Sequence, residues 1–190
     1  TGFLTNVGKT STDLTLADSL VCGYIACTAS LSYSYTKNYD AGELFVTRMT
    51  DEDNNVSYEF KDKLGQVVLT RQIANNLLHE TYYVYDDFGN LSAVAMDLIY
   101  KDKNQLIAGS DARVRYAYMY AYDYRNRCIK KYLPGTDWIY YVYDKADRLI
   151  FTQDGEQRLK NQWTFNKYDA FSRIIITGIH STSDSHSVLI

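Results

Sequence analysis

A duplicated word narrows what this chain can fold into more than any other feature. Residues 82–86 and 140–144 both read "YYVYD", and each copy is followed by a short polar break and then a Leu, at Leu91 and Leu149. Internal similarity of this kind is weighed first, because a missed repeat miscalls a whole fold. Anchored on the break, five segments align: "YEFKDKLGQVVLT" at 58–70, "YYVYDDFGNLSAV" at 82–94, "MYAYDYRNRCIKK" at 119–131, "YYVYDKADRLIFT" at 140–152 and "TFNKYDAFSRIIIT" at 164–177. Their common pattern is aromatic-x-aromatic-Asp-x-x-(Gly/Asn/Asp/Ser)-polar-apolar. The same repeat accounts for the largest compositional signal, 19 Tyr among 190 residues.

The break has the chemistry of a tight turn. A type I turn favours Asp at its first position, where the carboxylate accepts backbone N–H groups, and Gly three residues later. The first position is Asp62, Asp86, Asp123, Asp144 and Asp169, and the fourth is Gly65, Gly89, Asn126, Asp147 and Ser172. Gly, Asn and Asp tolerate a left-handed backbone, and Ser172 departs from that rule. The expectation is a three-residue hairpin loop closed by a bulge.

Alternation on both sides of the break predicts strands. Before each Asp, one face carries Tyr58/Phe60, Tyr82/Val84, Met119/Ala121, Tyr140/Val142 and Trp163/Phe165. After it, the fifth position holds Val67, Leu91, Cys128, Leu149 and Ile174, so strict alternation assigns these to a buried face as well. The opposite face carries Tyr83/Tyr85, Tyr116/Tyr118/Tyr120/Tyr122 and Tyr141/Tyr143 in the middle copies, but Glu59/Lys61 in the first. Tyr suits a half-wet surface, where the ring buries area and the hydroxyl finds a partner.

Composition removes whole classes of function. A net charge of −3, with Lys and Arg scattered among Asp and Glu, leaves no electrostatic footprint for nucleic acid. No run approaches the roughly 18 apolar residues of a membrane span. Three Cys form no closed disulfide framework, and Cys22, Cys27 and Cys128 read as small buried hydrophobes. The opening "TGFLTNVGK", without Met or a basic-then-apolar leader, reads as a fragment cut from a longer parent.

The "Y-x-Y-D-x-x-G-R/N-L" unit resembles the YD repeat of Rhs and teneurin-type proteins. "DKLGQVVLTRQ", "TYYVYDDFGNL", "YDYRNRCIKKYLPG" and "YYVYDKADRLIFTQDGEQR" are similar to Rhs-repeat proteins of Bacteroides-type bacteria, and the likeness covers about residues 39–178. The resemblance implies consecutive β-hairpins coiled into a hollow shell that holds a C-terminal variable domain, often a toxin. It also implies a secreted or cell-surface bacterial protein. The D-P-x-G element that ends the family's core does not occur in this sequence.

The expected architecture is therefore mainly β, an antiparallel meander of YD-repeat hairpins forming part of a shell wall, with one or two short helices. Residues 1–38 form a non-repeat segment whose helix or strand character stays open, and 95–115 form an irregular insertion. "QDGEQ" at 153–157 reads as an Asp-Gly hairpin turn joining two repeats. Residues 179–190 read as a polar tail, frayed at its end.

Several residues compete with the turn reading as candidates for chemistry. Asp86/Asp87 and Asp144/Asp147 are the carboxylate pairs a glycosidase would need, but turn geometry already explains them. "DEDNN" at 51–55 begins like a calcium loop, yet Val56 stands at the sixth position where Gly is required. His180 and His186, flanking Asp184, match no common zinc spacing. No catalytic, cofactor or metal site is expected. The candidate ligand platform is aromatic: Tyr116, Tyr118, Tyr120, Tyr122, Trp138 and Trp163, which suit a carbohydrate. The expected partners are adjacent repeats of the parent chain and self-association through open strand edges.

Overall fold

The computed structural model describes residues 3–5, 23–27, 33–40, 42–53, 55–74, 77–96 and 116–186. The chain is mainly β and antiparallel, and it divides into two compact units, Thr1–Ala117 and Tyr118–Ile190. Most of the insertion expected at 95–115, from residue 97 on, lies outside the described residues, as do Cys22 and the last four positions of the tail.

In the first unit, β1 (Phe3–Thr5) pairs with β4 (Phe45–Thr50). A meander then runs through β5 (Val56–Lys61), β6 (Val67–Ala74), β7 (Leu77–Tyr85) and β8 (Leu91–Met96). β2 (Gly23–Cys27) and β3 (Tyr33–Asn38) form a separate antiparallel pair, which resolves the described parts of residues 1–38 as strands; β2 contacts β7. The core follows from alternation. Val46, Phe60, Leu69, Tyr82 and Ala95 are register partners in one row across five strands, and all are buried. Each large side chain in such a row contributes roughly 1.5–3 kcal/mol relative to exposure.

The second unit repeats the plan. β9 (Ala117–Tyr122), β10 (Cys128–Tyr132), β11 (Ile139–Tyr143), β12 (Leu149–Gln153), β13 (Gln162–Tyr168) and β14 (Ile174–Ser181) pair successively. Met119, Val142 and Trp163 are buried on one face. Phe165 packs against the Gly178 backbone, where an added Cβ would come within 2.9 Å of the ring.

Three sequence expectations need correction. First, the position five after each Asp does not join the buried face. Each of the five repeat hairpins carries a register shift that adds one residue to its second strand: Phe60 faces Leu69 while Lys61 faces Val67, and Val142 faces Phe151 while Tyr143 faces Leu149. This bulge places Val67, Leu91, Cys128 and Leu149 half-buried and Ile174 exposed. The core position falls two residues later, at Leu69 and Ala93.

Second, "QDGEQ" is not a two-residue hairpin turn. It starts a short helix, α1 (Gly155–Leu159), with Asp154 as N-cap. The Gln157 N–H donates to Asp154 Oδ1 at 2.8 Å, and the Asp154 N–H donates back to Gln157 Oε1 at 3.1 Å. This capping box satisfies two otherwise orphaned donors, and the eight residues between β12 and β13 leave room for it.

Third, the tail is not frayed as far as His186. The Thr182 N–H donates to the Asn161 carbonyl at 2.9 Å, and His186 Nε2 lies 3.1 Å from the Tyr141 carbonyl with its ring against Tyr140 and Trp163.

Candidate functional site: the joints between repeats

All five anchor carboxylates do the same work. Oδ1 of Asp62, Asp86, Asp123, Asp144 and Asp169 accepts two backbone N–H groups, two and four residues ahead, at 2.8–3.0 Å. Each Asp N–H donates to the carbonyl four residues on, and the N–H of the fourth turn residue donates back to the Asp carbonyl. That fourth residue is left-handed in every copy, with φ of 82° at Gly65, 81° at Gly89, 59° at Asn126, 61° at Asp147 and 63° at Ser172. Ser172 therefore obeys the turn despite its residue type. Asp51 makes the same carboxylate contacts, to the Asp53 and Asn55 N–H groups.

The polar residue that follows carries a role that composition alone conceals. Arg127, Arg148 and Arg173 each donate Nε to Oδ2 of their own turn Asp at 2.7 Å, and Asn90 does so with Nδ2 at 3.1 Å. These bonds set the local electrostatics. The Arg148 and Arg173 backbone N–H groups, supported by their own guanidinium groups, hold Asp144 and Asp169 below the usual carboxylate range. Partial burial would raise Asp123, but its bonds from Arg127 and Arg125 outweigh that and hold it low too.

Two of these arginines, Arg127 and Arg148, reach the next repeat. Arg127 Nη1 donates to the Asp144 carbonyl at 3.2 Å and to Asp147 Oδ1 at 2.7 Å, with its guanidinium 5.0 Å from the Tyr143 ring centroid. Arg148 Nη1 lies 3.4 Å from the Asp169 carbonyl, and its guanidinium is 5.1 Å from the Tyr168 ring. In the first unit, Gln66 Nε2 donates to the Gly89 carbonyl at 3.2 Å.

In three repeats the Tyr just before the Asp binds in the opposite direction. Tyr85 donates its hydroxyl to the Val67 carbonyl at 3.0 Å, Tyr143 to Cys128 at 3.0 Å, and Tyr168 to Leu149 at 2.8 Å. Each acceptor is the residue five after the preceding repeat's Asp. Burial pushes the hydroxyls of Tyr85 and Tyr143 up, so they keep their protons as donors. The spacing of Tyr, Asp and Arg is thus a joint: Asp and Arg close one turn, and Arg and the next Tyr tie it to its neighbour.

A second feature is a buried ion pair that strict alternation would have located. Arg71 and Glu80 are register partners in the row beside the Leu69–Tyr82 row, so both point to the core face. They are 3% and 6% exposed. Arg71 Nε donates to Glu80 Oε1 at 2.6 Å with a further contact from Nη2, the Tyr82 hydroxyl donates to Glu80 Oε2 at 2.9 Å, and the guanidinium lies over the Phe60 ring. The pair's charges are matched and its lone pairs engaged, as burial of a charge requires.

The remaining sequence candidates fall as follows. Asp144 is held by its own turn, Asp147 accepts Arg125 and Arg127, and Asp87 is exposed. The described His180 ring sits against Phe151, and Asp184 bonds Thr182. Among the described residues, no group of three His, Cys, Asp or Glu is placed to hold a metal, and no helix is long and apolar enough to cross a membrane. Burial pushes the half-buried Cys128 thiol up, away from thiolate reactivity.

The six aromatic candidates do not form one surface. Tyr118, Tyr120 and Tyr122 alternate with Met119 and Ala121, and so lie on the opposite face from fully buried Trp163. Trp138 packs against Tyr132 and Lys130, and Tyr116 is half-buried before β9. No protein-family model and no curated protein matches the chain.

Proposed function

We propose that this chain is a non-catalytic, architectural segment of a secreted or cell-surface YD-repeat protein of the Rhs type, a strip of hairpin wall that encloses or displays another part of its parent. The observation that carries this reading is the repeated joint, in which turn Asp, Arg and Tyr residues bind neighbouring repeats. Groups committed in this way are not poised for proton transfer or nucleophilic attack, because their lone pairs and donors are engaged by backbone and partner side chains. The sequence resemblance to YD repeats supplies the family, the bacterial surface location and the shell; a toxin within that shell is the form of cargo the resemblance suggests.

Electron microscopy of the parent protein tests this reading. The expected image has these hairpins continuous with a curved β wall around internal density. A solid or isolated lobe with no enclosed volume would overturn it. A carbohydrate array run on the same chain addresses the glycan-binding alternative: dose-dependent binding abolished by Tyr118→Ala and Tyr120→Ala would replace the architectural reading with an adhesin-like one.

A further inference from the structure

A groove of about 400 Å³ lies at the end of β4, β5 and β6 away from the Asp62 turn, wholly within the first unit. Register builds it from two rows: Thr50, Val56 and Ile73 are partners in one, and Met49, Ser57 and Gln72 in the other. The connection between β4 and β5 brings Asp51 and Asn55 to its lining. Its size is that of a small-molecule site. Val56 and Ile73 are half-buried and Met49 is 48% exposed, so apolar surface stands open to solvent beside the polar groups.

Asp51 differs from the anchor Asp residues of the last three repeats. There, Arg127, Arg148 and Arg173 neutralise the carboxylate. Asp51 accepts only neutral donors: the Asp53 and Asn55 N–H groups at Oδ1, and the Asn55 side-chain amide at Oδ2, 2.9 Å away. A carboxylate offers about four acceptor sites, so one remains. The Asn55 side-chain amide, joined by the Asn55 and Asp53 N–H groups, holds this carboxyl below the usual carboxylate range, so its charge persists at neutral pH.

The lining selects a class of ligand. No Lys, Arg or His lines the groove, which leaves an anion without a counter-charge. No aromatic ring lines it either, so a quaternary ammonium finds no cage and a sugar no ring to stack on. What the groove does hold is one ionised carboxylate, side-chain oxygens on Thr50, Ser57 and Gln72, and apolar surface on Met49, Val56 and Ile73. A primary ammonium brings three N–H donors on a compact charge, and an alkyl stem lies along apolar surface while its charged head stays wet. We propose that this groove binds a free primary alkylamine in its ammonium form, with the nitrogen at Asp51 and the stem along Met49, Val56 and Ile73. A body of roughly four to six carbons suits a groove of this size. The site is independent of the architectural reading above and goes beyond it.

The test is a titration of the intact 190-residue protein with n-pentylammonium chloride at constant ionic strength, followed by amide chemical shifts. Saturable shifts are expected at Asp53, Asn55, Ser57 and Ile73. The alcohol n-pentanol, equal in length but uncharged, should bind about three- to tenfold more weakly, the worth of one charge-assisted hydrogen bond. Asp51→Asn should show a loss of similar size for the amine. Asn keeps an oxygen for the Asp53 and Asn55 N–H groups, so that variant removes the charge and keeps the loop, which unshifted amides elsewhere in the first unit check. Each methylene taken from the amine should weaken binding by about two- to fourfold. Glu52→Gln, in the same connection but outside the lining, should change affinity by less than about twofold, because salt screens charges that make no contact. Shifts that do not saturate, equal binding of the alcohol, indifference to Asp51→Asn or to chain length, or an equal loss on Glu52→Gln would each overturn the proposal.

Discussion

The Arg71–Glu80–Tyr82 network gives the sharpest energetic prediction. Arg71 and Glu80 are 3% and 6% exposed, and the carboxylate takes bonds from both Arg71 and Tyr82. Glu80→Leu strands a buried guanidinium beneath the sheet, and removing one partner of a buried pair costs about 3–5 kcal/mol. With an m-value of about 2 kcal/mol per M of urea, the unfolding midpoint of the first unit should fall by roughly 2 M. Arg71→Met alone should cost a similar amount, because it strands the carboxylate instead. The triple variant Arg71→Met/Glu80→Leu/Tyr82→Phe removes all the charge and the orphaned hydroxyl together, and should return to within about 1 kcal/mol of the parent or exceed it. The assay is urea denaturation followed by far-ultraviolet circular dichroism, with tryptophan emission recorded in parallel. Trp138 and Trp163 both lie in the second unit, so their emission reports that unit separately. If each single change costs under 1 kcal/mol, or if the triple variant costs the sum of its parts, the ion pair is not buried and matched as described.

Other consequences follow from the joints. Asp123, Asp144 and Asp169 titrate low in the fold, so their contribution is complete above the ordinary value of 3.8 and fades as pH falls through their depressed values. Thermal melts should therefore lose stability below about pH 4, and the loss should shrink in Asp-to-Asn variants. Tyr85, Tyr120 and Tyr143 titrate above their ordinary value of 10.0, so their contribution is complete below that value and lost as pH rises past it; melts above pH 10 should show it. Tyr143→Phe leaves the Cys128 carbonyl without that donor and should cost about 1 kcal/mol by denaturant titration. Ser172 holds φ at 63°, a conformation costing a non-glycine residue about 1–2 kcal/mol, so Ser172→Gly should stabilise the fifth turn by up to about 1 kcal/mol.

How much of this was legible in the sequence depended on whether a residue's role was local. The turns were, because Asp at the first position and a left-handed residue at the fourth are requirements of one backbone loop. Even Ser172, the wrong residue type, is carried into the left-handed region by the Asp169 carboxylate and its flanking bonds. The bulge itself was legible from the turn type, but the change of face it imposes on the second strand was not. An extra residue in one strand leaves the apolar pattern of "RLIFT" looking like simple alternation, and only the register with Tyr143 and Val142 exposes the shift. The helix at Gly155–Leu159 hid behind an Asp-Gly pair that serves equally as turn or N-cap, and the number of residues between strands decided it. Tyr before Asp and Arg after it were visible as types, but their partners lie 15–21 residues away in the neighbouring repeat. Arg71 and Glu80 were readable from alternation alone, yet charged residues on a core face are easily passed over as solvated ones.

The proposal that each repeated Asp builds a joint rather than a reactive centre has a direct test. Residue-resolved amide hydrogen exchange on the intact chain tests it most directly, because each anchor Asp N–H donates to the carbonyl four residues on. Slowed exchange should recur together at Asp62, Asp86, Asp123, Asp144 and Asp169, and weaken at Asp144 when Tyr143 becomes Phe. Exchange at these five amides as fast as in an open chain would contradict it.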